Sequence, residues 1–262
     1  MKVRVIFSVL LVLAVVSGWQ LLASQASWAK AADDKAASSV VELKVSDVQN
    51  AKGDGPDGKG NTDDDTWGFW FELAHKKGQY ARLDLHTTKM SEAQRKNGIK
   101  GKVTGPIGSR LPNPEDTEGW IFHSDWDGRF EGVWGDKKAD QVIMYPYVEK
   151  GSHGAVAVTY KVPVTGKYTV SGKVTDIQVQ PEYEQHDGIT WMVEAANGGA
   201  KGKLLGKGGP IGDGHGRPDS GEFKVEKASL EAGELIRLVI HPNKWWGSDM
   251  TKVELRIERV EE

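Results

Sequence analysis

From residue 40 onward, apolar and polar side chains alternate with a period of two, which is the pattern of strands buried on one face. In Lys252-Val-Glu-Leu-Arg-Ile-Glu258, Val253, Leu255 and Ile257 share one face and the charged residues the other. Val156, Val158, Tyr160 and Val162 line up in the same way, as do Tyr168, Val170 and Val174. The second of these runs changes phase before Ile177 and Val179, which predicts a β-bulge near Asp176. Glu222–Glu226 and Leu235–Ile240 are further strands, and the latter is apolar on both faces, as a central strand must be. Earlier strands are expected at Val40–Val48, Thr66–Leu73, Tyr80–His86, Trp120–His123 and Gln141–Val148. Only Ser91–Asn97 reads as a helix, of a turn or two. Gly, Pro and Asp clusters punctuate the runs, and long loops are expected at 50–65, 88–118, 180–187 and 197–221. Many short strands with almost no helical period give an all-β fold, a single antiparallel β-sandwich domain over residues 40–262.

The first residues have another character. Lys2 and Arg4 precede the apolar run Val5–Val16, and Ala29-Lys-Ala31 is an A-x-A-like exit, so 1–31 reads as a secretory signal peptide. The alternative is an anchor retained through Leu22, although Ser17, Gly18 and Gln20 break a run already short of the roughly 20 residues that a bilayer requires. Residues 32–39 are small and charged, and are expected to be disordered. Cleavage after Ala31 removes Lys2, Arg4 and Lys30 and takes the formal net charge from −3 to −6. The mature chain is thus expected to be acidic, without a membrane span, and secreted, periplasmic or at the cell envelope.

Composition removes several kinds of chemistry. With no cysteine there is no disulfide, thiolate metal site or cysteine nucleophile. A net negative charge gives no footprint for nucleic acid. No G-x-S-x-G, H-E-x-x-H or phosphate-loop run is present, and the seven histidines show no metal-ligand spacing. The glycine-rich stretch Gly206–Arg217 has too many glycines to order itself and reads as a flexible loop beside a ligand or as a merely solvated one.

What remains is aromatic and acidic. Trp67, Trp70, Trp120 and Trp191 lie in strand patterns and read as core. Trp126, Trp245 and Trp246 lie in polar, glycine-rich context, where an indole face can stack on a pyranose while neighbouring Asp125, Asp127, Arg129 and Asn243 hydrogen-bond its hydroxyls. Core burial is the competing reading for these indoles. Asp125 and Asp127 would also suit the acid/base pair of a glycosidase. Oxygen donors Asp54, Asp57, Asn61, Asp63 and Asp65 alternate with glycines, as in a loop around calcium, or else form a solvated acidic turn. Asp47 near the first strand and Asp249 before the last are a second place for a structural calcium ion.

The order of Gly166-Lys-Tyr-Thr-Val-Ser-Gly172, Asp187-Gly-Ile-Thr-Trp-Met-Val193, Ala232-Gly-Glu-Leu-Ile-Arg-Leu-Val-Ile-His-Pro-Asn243 and Ser248-Asp-Met-Thr251 resembles the galactose-binding-like jelly-roll modules of secreted bacterial proteins, an architecture shared by many carbohydrate-binding modules. The resemblance covers roughly 145–260. It implies jelly-roll topology, a loop-borne glycan site at one end of the sandwich and often a structural calcium. The chain departs from it in the insertion Lys89–Asp116 and in Glu234, where Asp is usual, and no sugar-binding motif transfers residue by residue. The expectation is therefore an exported, noncatalytic binder of a polysaccharide or glycan. A glycoside hydrolase or polysaccharide lyase on the same fold, or an envelope or matrix structural protein, are the alternatives.

Overall fold

The computed structural model describes residues 40–50, 65–73, 76–83, 99–100, 102–103, 121–124, 130–136, 139–146, 154–177, 188–212, 219–243 and 249–260. Among these the chain forms fifteen strands and one short helix. The early part holds β1 (Val40–Glu42), α1 (Val45–Gln49), β2 (Trp67–Glu72), β3 (Tyr80–Arg82), β4 (Ile99–Lys100), β5 (Lys102–Val103), β6 (Ile121–Ser124) and β7 (Phe130–Asp136). The later part holds β8 (Gln141–Tyr145), β9 (Val156–Lys161), β10 (Gly166–Asp176), β11 (Ile189–Ala196), β12 (Lys203–Ile211), β13 (Asp219–Leu230), β14 (Leu235–Pro242) and β15 (Thr251–Val260).

Two antiparallel sheets carry the fold. The first runs β13-β10-β15-β8-β7-β6, and the second β12-β11-β14-β9-β2-β3. From β8 onward the chain crosses between the sheets so that β13-β10-β15-β8 faces β12-β11-β14-β9, which is the jelly roll. β1 and β8 share one edge of β15: Val40–Glu42 pairs with Arg256–Glu258, and Val142–Met144 pairs with Thr251–Val253. β14 is central, between β11 and β9, as its two apolar faces require.

Alternation places the core. Val253, Leu255 and Ile257 of β15 and Tyr168, Val170 and Val174 of β10 meet Phe69, Val158, Val193, Ile236, Leu238 and Ile240 of the other sheet, all nearly or fully buried. Trp67 and Trp70 are buried, as read from the sequence, and Trp191 is half-buried.

Four expectations need correction. Val40–Val48 is not one strand: alternation ends after Val41 and Leu43, and Val45 and Val48, at helical spacing, turn inward on α1, Val45 packing where a side chain on Gly135 would sit. Within the expected loop 88–118 a two-stranded sheet, β4–β5, forms. The predicted bulge at Asp176 is absent, since β10 stays in register with β15 through Asp176↔Thr251 and Asp176 is buried on the same face as Val174. The shift lies instead on β13, between the partners of Tyr168 and Val170, where Lys227 adopts φ 54°.

The last correction concerns glycine. Residues 203–211, expected as loop, form β12. A Cβ on Gly208 would stand 2.6 Å from the Trp191 indole, and one on Gly206 3.0 Å from Val225. Across the core, a Cβ on Gly172 would lie 2.6 Å from the Phe223 ring, and that ring packs 4.9 Å from Trp191. These glycines give up side chains so that two large rings can lie against the strands, and ring burial offsets the entropy that glycine loses.

Candidate functional site

The register sorts the connections by end. The crossings 146–155, 177–188, 212–218 and 243–250, seven to twelve residues each, all leave one end of the sandwich. The turns 137–140, 162–165, 197–202 and 231–234, four to six residues each, close the other. Binding groups concentrate on long loops carried by a rigid frame. At the long-loop end, β6 stops at Ser124 and β7 resumes at Phe130, and β15 begins at Thr251. Val133, Met144 and Thr251 lie in one cross-strand row. β7, which follows 125–129, and β15, which follows 243–250, are therefore two strand spacings, about 10 Å, apart in the first sheet.

Of the sequence-derived ligand set, only Asn243 falls in the described residues. It is half-buried at the end of β14, where its N–H donates to the Gly188 carbonyl at 3.1 Å. Asp125, Trp126, Asp127, Arg129, Trp245 and Trp246 lie outside them, as do Asp54, Asp57, Asn61 and Asp63. Asp65 is half-buried just ahead of β2. Asp249 is buried beside the start of β15, and its carbonyl accepts from the Thr251 hydroxyl at 3.0 Å. Asp47 accepts the Lys44 N–H at 2.7 Å, which caps α1, and burial raises its carboxyl above the usual range despite that bond. Among the described residues no group of three or more His, Asp or Glu side chains is placed to hold a metal ion, and no helix is long and apolar enough to cross a membrane.

A polar cluster that sequence reasoning missed lies on the outer face of the second sheet. Arg237 on β14 is wholly buried, and its guanidinium donates to Glu194 of the neighbouring β11 at 3.2 Å, to the Ala200 carbonyl at 3.1 Å and to the Gly198 carbonyl. Tyr80 lays its ring 4.3 Å from the guanidinium carbon, over a floor kept low by Ala155 and Ala157. Burial first, then Glu72 and Glu194, hold the Tyr80 hydroxyl well above its ordinary pKa, and burial lowers that of Arg237. Nearby, Arg82 stacks 4.6 Å over Trp70, whose indole N–H donates to Thr159 at 2.9 Å. The Tyr80 N–H donates to the Gly199 carbonyl at 2.7 Å, so the free edge of β3 meets the 197–202 turn and roofs this face. The arrangement locks a turn over a small second core of Trp70, Tyr80, Ala155, Ala157, Leu235 and Val239, with Arg237 fully buried and Arg82 half-buried. A sequence signal for it existed: Arg237 and Glu194 are charges set inside strands otherwise apolar on both faces, and such charges must be paired.

No protein-family model matches this sequence, and no curated protein matches it. Among solved structures the chain is similar to TmCBM61 in complex with β-1,4-galactotriose, at 12% identity and a TM-score of 0.33 over 55% of this chain and 91% of that one. It is similar to the carbohydrate-binding module CBM6cm-2 of Cellvibrio mixtus lichenase 5A in complex with cellotriose, at 14% identity and a TM-score of 0.24 over 56% and 94%. It is also similar to a Stig cyclase of Fischerella, at 13% identity and a TM-score of 0.34 over 57% and 88%.

Proposed function

We propose that this chain is an exported, noncatalytic glycan-binding protein whose ligand meets the long-loop end of the jelly roll. One observation carries the reading: β7, which follows 125–129, and β15, which follows 243–250, begin at the same end of the first sheet two strand spacings apart, and these two segments hold Trp126, Trp245 and Trp246 among hydrogen-bonding groups. In this reading Trp126, Trp245 and Trp246 stack on sugar rings, and Asp125, Asp127 and Asn243 engage hydroxyls. Arg129 holds a ring oxygen or an acid group. Asp54, Asp57, Asn61, Asp63 and Asp65 supply the oxygen donors of a structural calcium, and Asp47 with Asp249 are a second place for one.

The test is retention of the purified chain on a glycan array, with and without a chelator. Trp126→Ala and Trp245→Ala should each lose retention on the positive glycan while melting with the parent. Lys203→Ala, at the tight-turn end, should keep it. Retention unchanged in both tryptophan variants would remove the site. Turnover of the bound glycan, lost in Asp125→Asn, would replace the binding reading with a hydrolase or lyase. Chelation should lower retention if calcium shapes the loops.

A further inference from the structure

We propose that Asn197–Gly198, in the turn between β11 and β12, is a site of spontaneous deamidation through a succinimide, and that its isoaspartyl product releases the clamp on Arg237. The chemistry needs an asparagine whose successor has an unhindered backbone nitrogen, on a segment open to water. Both residues are exposed, and a Cβ built on Gly198 would meet nothing within 4 Å. The Asn197 side chain makes no hydrogen bond to the described residues, so its carboxamide is not held away from the main chain. Gly198 sits at φ 58°, a left-handed conformation that glycine adopts without strain.

The backbone nitrogen of Gly198 attacks Cγ of Asn197, forming a C–N bond. The carboxamide nitrogen departs as ammonia, taking up the proton that Gly198 nitrogen gives away. Water then adds to either carbonyl of the five-membered imide and breaks one of its two C–N bonds. One opening yields aspartate; the other yields isoaspartate, in which Cβ has entered the main chain. No oxidant or reductant takes part.

The position of this turn gives the reaction a consequence. The carbonyl of Gly198 itself, and that of Ala200 two residues on, are the main-chain acceptors of the wholly buried Arg237 guanidinium, and Gly199 accepts from Tyr80. An extra main-chain carbon just before Gly198 displaces these carbonyls from Arg237. Conversion to aspartate adds a charge at an exposed position and leaves the spacing intact, so the two products separate charge from geometry.

The experiment incubates the folded chain at mildly alkaline pH beside the same chain unfolded in urea. Peptide mapping and an isoaspartate methyltransferase read position 197, and melting is measured on the chromatographically separated isoaspartyl fraction. The folded chain should gain isoaspartate at 197 at a rate comparable to the unfolded chain, Asn197→Gln should lose the signal there, and Asn197→Asp should melt with the parent. The isoaspartyl fraction should melt below both. A folded chain that stays unmodified at 197 through an incubation that converts the unfolded one would overturn the site, and an isoaspartyl fraction melting with the parent would overturn the link to Arg237.

Discussion

Arg237→Met removes the only cation that the described residues place against Glu194, and the structure sets the size of the effect. The Glu194 side chain is 5% exposed and Arg237 0%, so water cannot replace the lost partner. Breaking a buried pair from one side costs roughly 3–5 kcal/mol, because the surviving charge stays desolvated. The Gly198 and Ala200 carbonyls belong to an exposed turn and can turn to water, so they add about 1 kcal/mol at most. Urea unfolding should therefore show a lower midpoint at unchanged slope, a loss of about 3–6 kcal/mol. The double variant Arg237→Met, Glu194→Leu should recover most of this, because two buried charges are then replaced by apolar groups of similar bulk. A loss of less than about 1 kcal/mol in Arg237→Met, the scale of an exposed pair, would refute a desolvated pair. A double variant as unstable as the two single losses added would refute it equally.

Tyr80→Phe keeps the ring over Arg237 and removes a buried hydroxyl that has no hydrogen-bond partner, so it should leave the melting temperature unchanged or raise stability by about 1 kcal/mol. Gly208→Ala puts a methyl 2.6 Å from the Trp191 indole, closer than van der Waals contact allows, and should cost about 1–3 kcal/mol in urea titration. Asp47→Asn keeps an acceptor for the Lys44 N–H and removes a carboxylate whose folded pKa is raised by burial. A raised folded pKa means that the native state holds its proton more tightly than the unfolded chain. The parent therefore loses stability as pH rises through that folded value, and the variant should gain on it at neutral pH and match it below about pH 4, checked by midpoints at both.

The strands of the second half were legible because burial there obeys the simplest rule, one face in and one face out: β15, β10 and β9 were visible in Val253-Leu255-Ile257, Tyr168-Val170-Val174 and Val156-Val158-Tyr160. β12 was not, since its order comes from Trp191 and Phe223, far along the chain, and glycine carries no local sign of the ring it makes room for. Asp176 looked like a bulge because the apolar pattern changes phase before Ile177, whereas a buried aspartate at the end of an inner face continues the strand in polar form. The Arg237–Glu194 pair was visible as two charges in apolar runs, but only register shows them to be direct cross-strand neighbours. For 125–129 and 243–250, sequence supplied the residue types, and strand order supplied the common end of β7 and β15.

The way β15 divides one edge between β1 and β8 has an engineering consequence. Val40 lies across from Glu258, so the places where the polypeptide enters and leaves the sandwich are adjacent rungs of one ladder at the tight-turn end. A short glycine-rich bridge from Val260 to Val40 would close the sandwich into a ring, and new termini could then be opened elsewhere without cutting a strand pair. The same adjacency makes the sandwich suited to insertion as a cassette into a surface loop of another protein, with its long loops directed away from the host.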